Sequence, residues 1–129
     1  MATIRIKDLL IRTYIGFNPE ELINKQDVLI NIKIEVDVPE SALQTDEPDG
    51  IYDYKKVTKQ IIQFVQDGRF KLLEVLTRKI LDIIMEDPKI ISAQITLEKF
   101  GVLPGAASVL VQMSADRSEP GSGSSLRCC

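Results

Sequence analysis

The chain has 129 residues, a formal net charge of −3 at pH 7 and 44% hydrophobic residues, values that are ordinary for one globular domain. An acidic chain of this kind is unsuited to binding nucleic acid by neutralising phosphates, and no apolar run reaches the roughly 18 residues of a membrane-spanning helix. We therefore expect neither a nucleic acid nor a membrane as a partner. The N-terminus lacks the apolar core of a secretory signal, which predicts a cytoplasmic protein.

The residue types that the chain lacks also limit its chemistry. There is no histidine, which excludes histidine-built metal sites and catalytic arrangements such as Ser-His-Asp or Cys-His. The two cysteines, Cys128 and Cys129, are adjacent at the end of the chain, where they cannot cross-link a core. They belong to residues 118–129, whose EPGSGSS string predicts a flexible tail. The folded domain is therefore expected to span residues 1–117.

The first half of the chain predicts two long strands separated by a turn. Residues 3–14 begin with alternating apolar and charged side chains, and the phase shifts near Asp8, as it does at a β-bulge. A turn-rich segment follows, in which Pro19 opens one short helical turn. Residues 27–38 alternate most regularly. Because one face of this strand is apolar and the other polar, the pattern favours an antiparallel sheet with one wet face.

The second half predicts two helices and two further strands. After a polar connector at residues 39–50, apolar stripes at helical spacing run through residues 54–66 and 72–86. Alternating segments at residues 91–98 and 107–113 predict strands, the first with Ile91 on its core face. The order ββααββ predicts an α+β fold with two helices on one face of a four-stranded antiparallel sheet. The unpaired edges of such a sheet favour its association into a closed barrel.

One carboxylate, Glu74, lies near the start of the second helix among apolar residues. A helix N-terminus favours negative charge, and a partly desolvated carboxylate there binds an N–C–N donor edge such as a guanidine or an aminopyrimidine. The same pattern also fits an i, i+4 pair between Glu74 and Arg78 on a solvated polar face. The residue pattern by itself leaves both interpretations open.

Four short strings, in their order on the ββααββ frame, resemble the family of pterin enzymes that contains dihydroneopterin aldolase and dihydroneopterin triphosphate 2′-epimerase. They are Arg12-Thr13-Tyr14-Ile15-Gly16 with Glu20-Glu21 and Gln26, then Tyr52-Asp53-Tyr54, then Arg69-Phe70 with Leu72-Leu73-Glu74, and finally Lys99 with Pro104-Gly105. The resemblance extends from Ile4 to about Ala115. It implies the tunnel fold (T-fold), in which four subunits join their sheets into a β-barrel tunnel and two such rings stack into an octamer. It also implies active sites between neighbouring subunits of this homo-oligomer.

The resemblance assigns roles to individual residues. Glu74, beside Leu73, is similar to the carboxylate that anchors the aminopyrimidine edge of a 7,8-dihydropterin substrate. Lys99 resembles the catalytic lysine, and Glu21 the glutamate that holds lysine and substrate in register. Tyr54 resembles a tyrosine that a neighbouring subunit contributes to binding and proton transfer. The alternatives are that Lys99 is a surface charge at a strand end, Tyr54 a helix-start aromatic and Glu21 a first-turn acid.

The implied chemistry is retro-aldol cleavage of the pterin side chain with no metal and no other cofactor. Arg12-Thr13-Tyr14-Ile15-Gly16 and residues 69–77 are more similar to the epimerase branch, an isomerase, since the usual aldolase has Tyr-His-Gly at the first string. The Leu103-Pro104-Gly105 loop is more similar to the aldolase of folate biosynthesis, a carbon–carbon lyase. We favour the epimerase, with the aldolase as the alternative and an inactive pterin-binding or structural T-fold subunit as a third interpretation.

A triphosphate substrate would favour cations near the mouth of the site. The candidates are Lys55, Lys56, Arg69 and Lys71, and the alternative is that these are solvated side chains on helix faces. The segment Phe100-Gly101-Val102 departs from both branch patterns and leaves the rim of the pocket unassigned.

Overall fold

The computed structural model of the chain describes residues 1–101 and 104–117, together with the backbone of residues 125–128. It has an α+β architecture in which helices pack on one face of a six-stranded sheet with the strand order β3-β1-β2-β4-β5-β6. The elements are β1 Ala2–Ile15, α1 Pro19–Ile23, β2 Gln26–Val36, α2 Glu40–Thr45, α3 Tyr54–Asp67, β3 Arg69–Phe70, α4 Leu73–Met85, β4 Ile90–Phe100, β5 Ser108–Asp116 and β6 Ser125–Cys128.

The four central strands form the antiparallel sheet that the alternation predicts. Strand β1 pairs with β2, β2 with β4, and β4 with β5, all antiparallel. The prediction of four strands is nevertheless too low. Strand β3 adds to the outer edge of β1 in parallel orientation, and β6 adds to β5. A two-residue strand has no alternation to detect, which is why the sequence does not show β3.

Strand β6 lies in the C-terminal segment, and the division into a folded domain and a flexible tail stays a prediction. Residues 125–128 lie within the tail that the sequence predicts to be flexible, and they pair with β5 along residues 113–116. Their backbone groups hydrogen-bond with an open strand edge, a pairing that depends little on side-chain pattern. The other predicted tail residues, 118–124 and 129, lie outside the described residues.

A bulge in β1 is present where the phase of the sequence shifts. The register between β1 and β2 changes between Ile6 and Leu9. Asp8 occupies the left-handed region with φ of +57°, and its N–H donates to Oδ1 of Asn31 on β2 at 2.9 Å. The bulge confirms the break that the sequence predicts near Asp8.

A second register shift moves one predicted core residue. The pairing of β2 with β4 is irregular at the end of β2, where Val36 pairs with Ile90. Ile90 is therefore buried in the core, whereas Ile91 is half-buried. The prediction that Ile91 faces the core is wrong, because simple alternation takes no account of a bulge.

The two long helices supply the other side of the core. Helix α3 begins after Asp53, whose carboxylate accepts hydrogen bonds from the N–H groups of Lys55 and Lys56, each at 3.1 Å. Helix α4 begins after Leu72, which provides no side-chain cap. Their buried faces pack on the apolar face of the sheet and consist of Val57, Ile61, Val65, Leu73, Leu76, Thr77, Ile80, Leu81, Ile84 and Met85.

Helix α2 lies within residues 39–50, which the sequence predicts to be a polar connector. Ala42 is its one buried residue, so this short helix has no apolar stripe that would signal it. Within the ranges that the structure describes, no helix is long and apolar enough to cross a membrane.

We predict that Thr13→Val lowers the free energy of unfolding by about 1–3 kcal/mol, the usual cost of leaving a buried polar group without its partner. Thr13 is fully buried, and its Oγ1 donates to the carbonyl oxygen of Val65 at 2.6 Å, which joins β1 to the end of α3. Chemical denaturation measures the change. The matched control is Thr3→Val, at an exposed strand position with no side-chain hydrogen bond to the described residues, and it should be close to neutral. Equal stability of the two variants would contradict this account.

Candidate functional site

A cavity of about 530 Å³ lies between α1, the N-terminus of α4 and the neighbouring ends of β4 and β5. It brings together five of the residues that the sequence nominated, namely Glu21, Lys71, Leu73, Glu74 and Lys99. The remaining lining residues are Gly16, Phe17, Asn18, Glu20, Asn24, Gln26, Leu72, Phe100, Gly101 and Val109.

The centre of the cavity is an ion pair between Lys99 and Glu21. Lys99 lies near the end of β4, opposite Val28 of β2, and is only 7% exposed. Its Nζ donates to Oε2 of Glu21. A buried ammonium group is costly unless a charged or polar partner compensates for the lost hydration. The burial of Lys99 therefore excludes the alternative interpretation that it is a surface charge at the end of a strand.

Several hydrogen bonds hold the Glu21 carboxylate in place. The backbone N–H of Glu21 donates to Oδ1 of Asn18 at 2.9 Å, and Oε1 of Glu21 accepts from the N–H of Asn18 at 3.4 Å. These two hydrogen bonds form a capping box at the start of α1. Nε2 of Gln26 donates to the Glu21 carboxylate at 3.4 Å and to the carbonyl oxygen of Ile15 at 3.0 Å. The hydrogen bond from Lys99 is the main reason that the pKa of Glu21 lies below its usual value of 4.5. Burial of the carboxylate acts in the opposite direction and raises the pKa, but it does not outweigh the hydrogen bond. The carboxylate is thus ionised and fixed beside Lys99.

The turn before α1 has room for a glycine alone. Gly16 has φ of +119°, a conformation that side chains with a Cβ rarely adopt. A Cβ at this position would overlap the carboxyl group of Glu21. The N–H of Gly16 also donates to the carbonyl oxygen of Phe70 at 2.8 Å. The backbone turn therefore packs directly against the catalytic candidate.

Glu74 lies in the first turn of α4 and lines the cavity. Leu72 provides no side-chain cap, so the N-cap residue leaves the first N–H groups of the helix without the acceptor that a capping side chain would supply. Arg78 pairs instead with Asp82, with 3.2 Å between its Nε and Oδ1. The i, i+4 pair between Glu74 and Arg78 does not form, and Glu74 is exposed to the cavity.

Tyr54 is not part of this cavity. It is the first residue of α3, is 48% exposed and lines a separate groove with Lys55 and the N-terminal part of β1. One copy of the described chain therefore does not bring Tyr54 to Lys99. Its supply by a neighbouring subunit stays a prediction.

The four candidate phosphate ligands are distributed unevenly. Lys71 is exposed and lines the cavity. The guanidinium of Arg69 stacks 3.9 Å from the ring centre of Tyr14, and its Nη1 donates to the carbonyl oxygen of Leu22 at 3.2 Å. Lys55 and Lys56 lie at the start of α3, outside the cavity. Lys71 is thus the candidate best placed for a ligand in the cavity, while Arg69 fixes the end of α1.

Asn18 and Gln26 contact Glu21 but have no role that is predicted from the sequence. A signal for Asn18 is present, because Asn-Pro-Glu-Glu has the spacing of a capping box, with the cap residue and the acid three positions apart. Gln26 was part of a resembling string but carries no local signal of its own. In the Leu103-Pro104-Gly105 and Phe100-Gly101-Val102 strings, Val102 and Leu103 lie outside the described residues.

The site combines the buried Lys99–Glu21 ion pair with the Glu74 carboxylate in the first turn of α4, whose N-cap residue Leu72 gives no side-chain cap. Amino and ring N–H groups of a heterocycle complement the carboxylate, and ring carbonyl or nitrogen atoms complement the helix N–H groups. Such a cavity fits a planar, nitrogen-rich ring that carries a group to be protonated or deprotonated near Lys99.

Comparison with known proteins gives a consistent result. The sequence profile of the dihydroneopterin aldolase (FolB) family matches residues 4–114. The chain is 41% identical to dihydroneopterin triphosphate 2′-epimerase of Pseudomonas aeruginosa, over 91% of this chain and 94% of that protein. It is 40% identical to the epimerase of Escherichia coli K12, over 90% of this chain and 96% of that protein.

Solved structures show the same fold. A Vibrio cholerae protein assigned as a dihydroneopterin aldolase matches with a TM-score of 0.82 and 26% identity, over 91% of this chain and 98% of that one. Dihydroneopterin aldolase of E. coli, solved with neopterin, matches with a TM-score of 0.76 at 22% identity, over 87% of this chain and 98% of that one. These matches confirm the T-fold that the resemblance to the family implies.

We predict that Glu21→Gln lowers the free energy of unfolding at neutral pH. The difference in this free energy between the variant and the wild type should shrink as the solution is acidified. The folded-state pKa of Glu21 is lowered, so its stabilising contribution is present above the unfolded value of about 4.5 and is lost as pH falls through the folded value. Urea denaturation between pH 7 and pH 3 measures the two free energies of unfolding. A difference that is constant over this range would show that the carboxylate charge of Glu21 contributes nothing.

Proposed function

The chain belongs to the dihydroneopterin aldolase family, and we propose that it is a dihydroneopterin triphosphate 2′-epimerase. The observation that carries this proposal is the buried Lys99–Glu21 pair, which faces the same cavity as Glu74. One group to hold a pterin ring and one to move a proton are the two requirements of the reaction. The chain is an enzyme of the epimerase and aldolase kind, to which its relatives belong.

In the proposed complex the pterin ring binds at the start of α4. The Glu74 carboxylate accepts hydrogen bonds from the aminopyrimidine edge, and backbone N–H groups at Leu73 and beyond it donate to the ring. Leu72, Phe100 and Val109 supply apolar contact around the ring. This orientation directs the trihydroxypropyl side chain towards Lys99.

Lys99 acts as the proton shuttle. Its ammonium group, which is paired with Glu21 in the free enzyme, first gives up a proton to solvent, and the resulting amine takes the proton of the 2′-hydroxyl, directly or through a water, as the C1′–C2′ bond breaks. The electron pair of that bond enters the C6=N5 imine of the dihydropterin, so the substrate itself is the electron sink. The Glu21 carboxylate, which accepts a hydrogen bond from Lys99, stabilises the ammonium group that this step forms.

The fate of the released aldehyde decides the outcome. If it rotates and is added back on its other face, the bond re-forms and the 2′ carbon is inverted. If it leaves, C1′ is protonated and the products are a 6-hydroxymethyl-dihydropterin and an aldehyde. Both outcomes use the same residues, so a slower aldolase activity should accompany the epimerase. The aldolase is the second candidate function, and the family profile favours it.

We further propose that the active enzyme is a cytoplasmic homo-oligomer of ring-shaped tetramers, stacked as an octamer, that uses no metal. In this assembly Tyr54 of a neighbouring copy completes the cavity and assists proton transfer. Its 48% exposure beside the N-terminal part of β1 leaves it free for such a contact. Lys71 at the rim holds the triphosphate, and Lys55 and Lys56 join it if α3 of a neighbouring copy lies at the mouth.

The products of a paired incubation test the proposal. We expect the pure protein, without added metal, to convert dihydroneopterin triphosphate rapidly into its 2′ epimer with little carbon–carbon cleavage, because re-addition of the aldehyde outruns its loss. Chromatography of parallel reactions with dihydroneopterin triphosphate and with dihydroneopterin separates the products. Dominant 6-hydroxymethyl-dihydropterin and glycolaldehyde from dihydroneopterin would make the enzyme an aldolase.

We expect Glu74→Ala to weaken pterin binding about ten- to a hundredfold, since hydrogen bonds to a charged group contribute about 1.5–3 kcal/mol. The rise in melting temperature caused by neopterin should be present in the wild type and lost in Glu74→Ala. The matched control is Glu47→Ala, an exposed acid outside the cavity, which should keep the full rise. An unchanged rise in Glu74→Ala would remove Glu74 from the binding site.

A further inference from the structure

The face of the sheet that is turned away from the helices carries three cations in one concavity. Arg5, Lys7 and Lys33 line a depression of about 420 Å³. Its other lining residues are Ile6, Asn31, Ile32, Gln94 and Thr96, so no carboxylate is among them. We propose that this concavity binds a phosphate-type oxyanion at a site separate from the pterin cavity.

The arrangement of the charges carries the inference. Arg5 on β1 lies directly opposite Lys33 on β2, and like charges at directly opposed positions destabilise an antiparallel pair. Lys33 is half-buried in the sheet, which limits its movement into solvent. Within the described residues, the ion pairs of the chain involve other cations and leave Arg5, Lys7 and Lys33 without an acidic partner. A bound anion would convert this repulsion into attraction.

Neutral hydrogen-bond donors surround the cations. Oδ1 of Asn31 already accepts the N–H of Asp8 at the β1 bulge, at 2.9 Å, so the amide nitrogen of Asn31 remains to donate into the concavity. Thr96 lies opposite Asn31, and Gln94 lies opposite Lys33. Charged and neutral donors together are the groups that bind phosphate oxygens in proteins.

The closest acid along the same strand belongs to a different depression. Glu35 is two residues beyond Lys33 on the same face and lines a neighbouring concavity with Asp116. The two concavities share Lys33 and Gln94 at their boundary. No hydrogen bond or ion pair joins Glu35 to Lys33 or Arg5 among the described contacts. The described lining of the depression that holds Arg5, Lys7 and Lys33 is therefore positive, although the whole chain has a formal net charge of −3.

The concavity and the catalytic cavity lie on opposite faces of the sheet. Lys99 shares the helix-facing side of β4 with Leu97 and Ile95, which are buried. Gln94 and Thr96 alternate with these residues and therefore point to the other side. The triphosphate of a pterin seated against Glu74 cannot cross the sheet to Lys33, so the proposed ligand is a free phosphate-type anion.

Thermal unfolding with inorganic phosphate, at an ionic strength held constant with sodium chloride, tests the proposal. We expect the wild-type melting temperature to rise by about 5 °C when phosphate is tenfold above its half-saturating concentration. Lys33→Gln and Arg5→Gln should each lose most of this rise. Each should also melt above the wild type in phosphate-free buffer, because the substitution removes the opposed like charge. If one of them does not fold, the other decides.

Two control variants locate the effect. Lys79→Gln changes the same charge at an exposed position of α4 outside both cavities and should keep the full rise. Lys71→Gln should also keep it, because Lys71 lines the catalytic cavity. A rise that survives Lys33→Gln and disappears in Lys71→Gln would place the phosphate in the catalytic cavity and overturn the proposal. The proposal would also be overturned if phosphate did not raise the melting temperature of the wild type. The same holds if Lys79→Gln lost as much of the rise as Lys33→Gln.

Discussion

The buried ion pair between Lys99 and Glu21 is the contact on which the rest of the site depends. Removing one partner of such a pair leaves an uncompensated charge, at a cost of about 3–5 kcal/mol, so the elements that carry the two residues are constrained to each other. Lys99 comes from β4 in the middle of the sheet, where both neighbouring strands fix its position. Glu21 comes from a helix of five residues that could not be stable alone.

The short helix is held from several directions because the pair requires it. Asn18 caps its start, Arg69 donates to the carbonyl oxygen of Leu22 near its end, and Gly16 allows the preceding turn to approach the carboxylate. Gln26 on β2 connects that turn to the same carboxylate. Arg69 therefore supports the end of α1, and its role as a phosphate ligand stays a prediction. The structure thus fixes the Lys99–Glu21 ion pair at the edge of a cavity of about 530 Å³.

Much of the fold follows from periodic patterns. Alternation predicts the four central strands and the break at Asp8, and helical spacing predicts α3 and α4, because each of these elements buries one face. The patterns say nothing of α2, β3 and β6, since α2 has a single buried residue, β3 is two residues long, and β6 is defined by its backbone pairing with β5. The misplacement of Ile91 has a similar origin, since a bulge is a property of two paired strands.

The site is harder to predict than the fold because its parts are far apart in the chain. Glu21 and Lys99 are separated by 78 positions, and no local pattern indicates that they meet. Each taken alone fits an ordinary surface charge, and the resemblance to a family supplied the connection. For Glu74, the pattern left a helix-surface pair open, and the structure decides against it because Arg78 bonds to Asp82. The role proposed for Tyr54 needs a second copy of the chain, so one chain by itself cannot show it.

A double-mutant cycle on turnover tests most directly whether Lys99 and Glu21 act as one unit. The kcat of dihydropterin conversion is measured for Lys99→Met, Glu21→Gln and the double variant, with pterin binding measured in parallel. We expect Lys99→Met to lower kcat at least about a hundredfold while pterin still binds, since this is the usual contribution of a positioned proton-transfer group. Adding Glu21→Gln to Lys99→Met should lower kcat only slightly further, because the lysine that Glu21 contacts is already absent. Near-normal turnover in Lys99→Met, or losses that multiply in the double variant, would contradict the account.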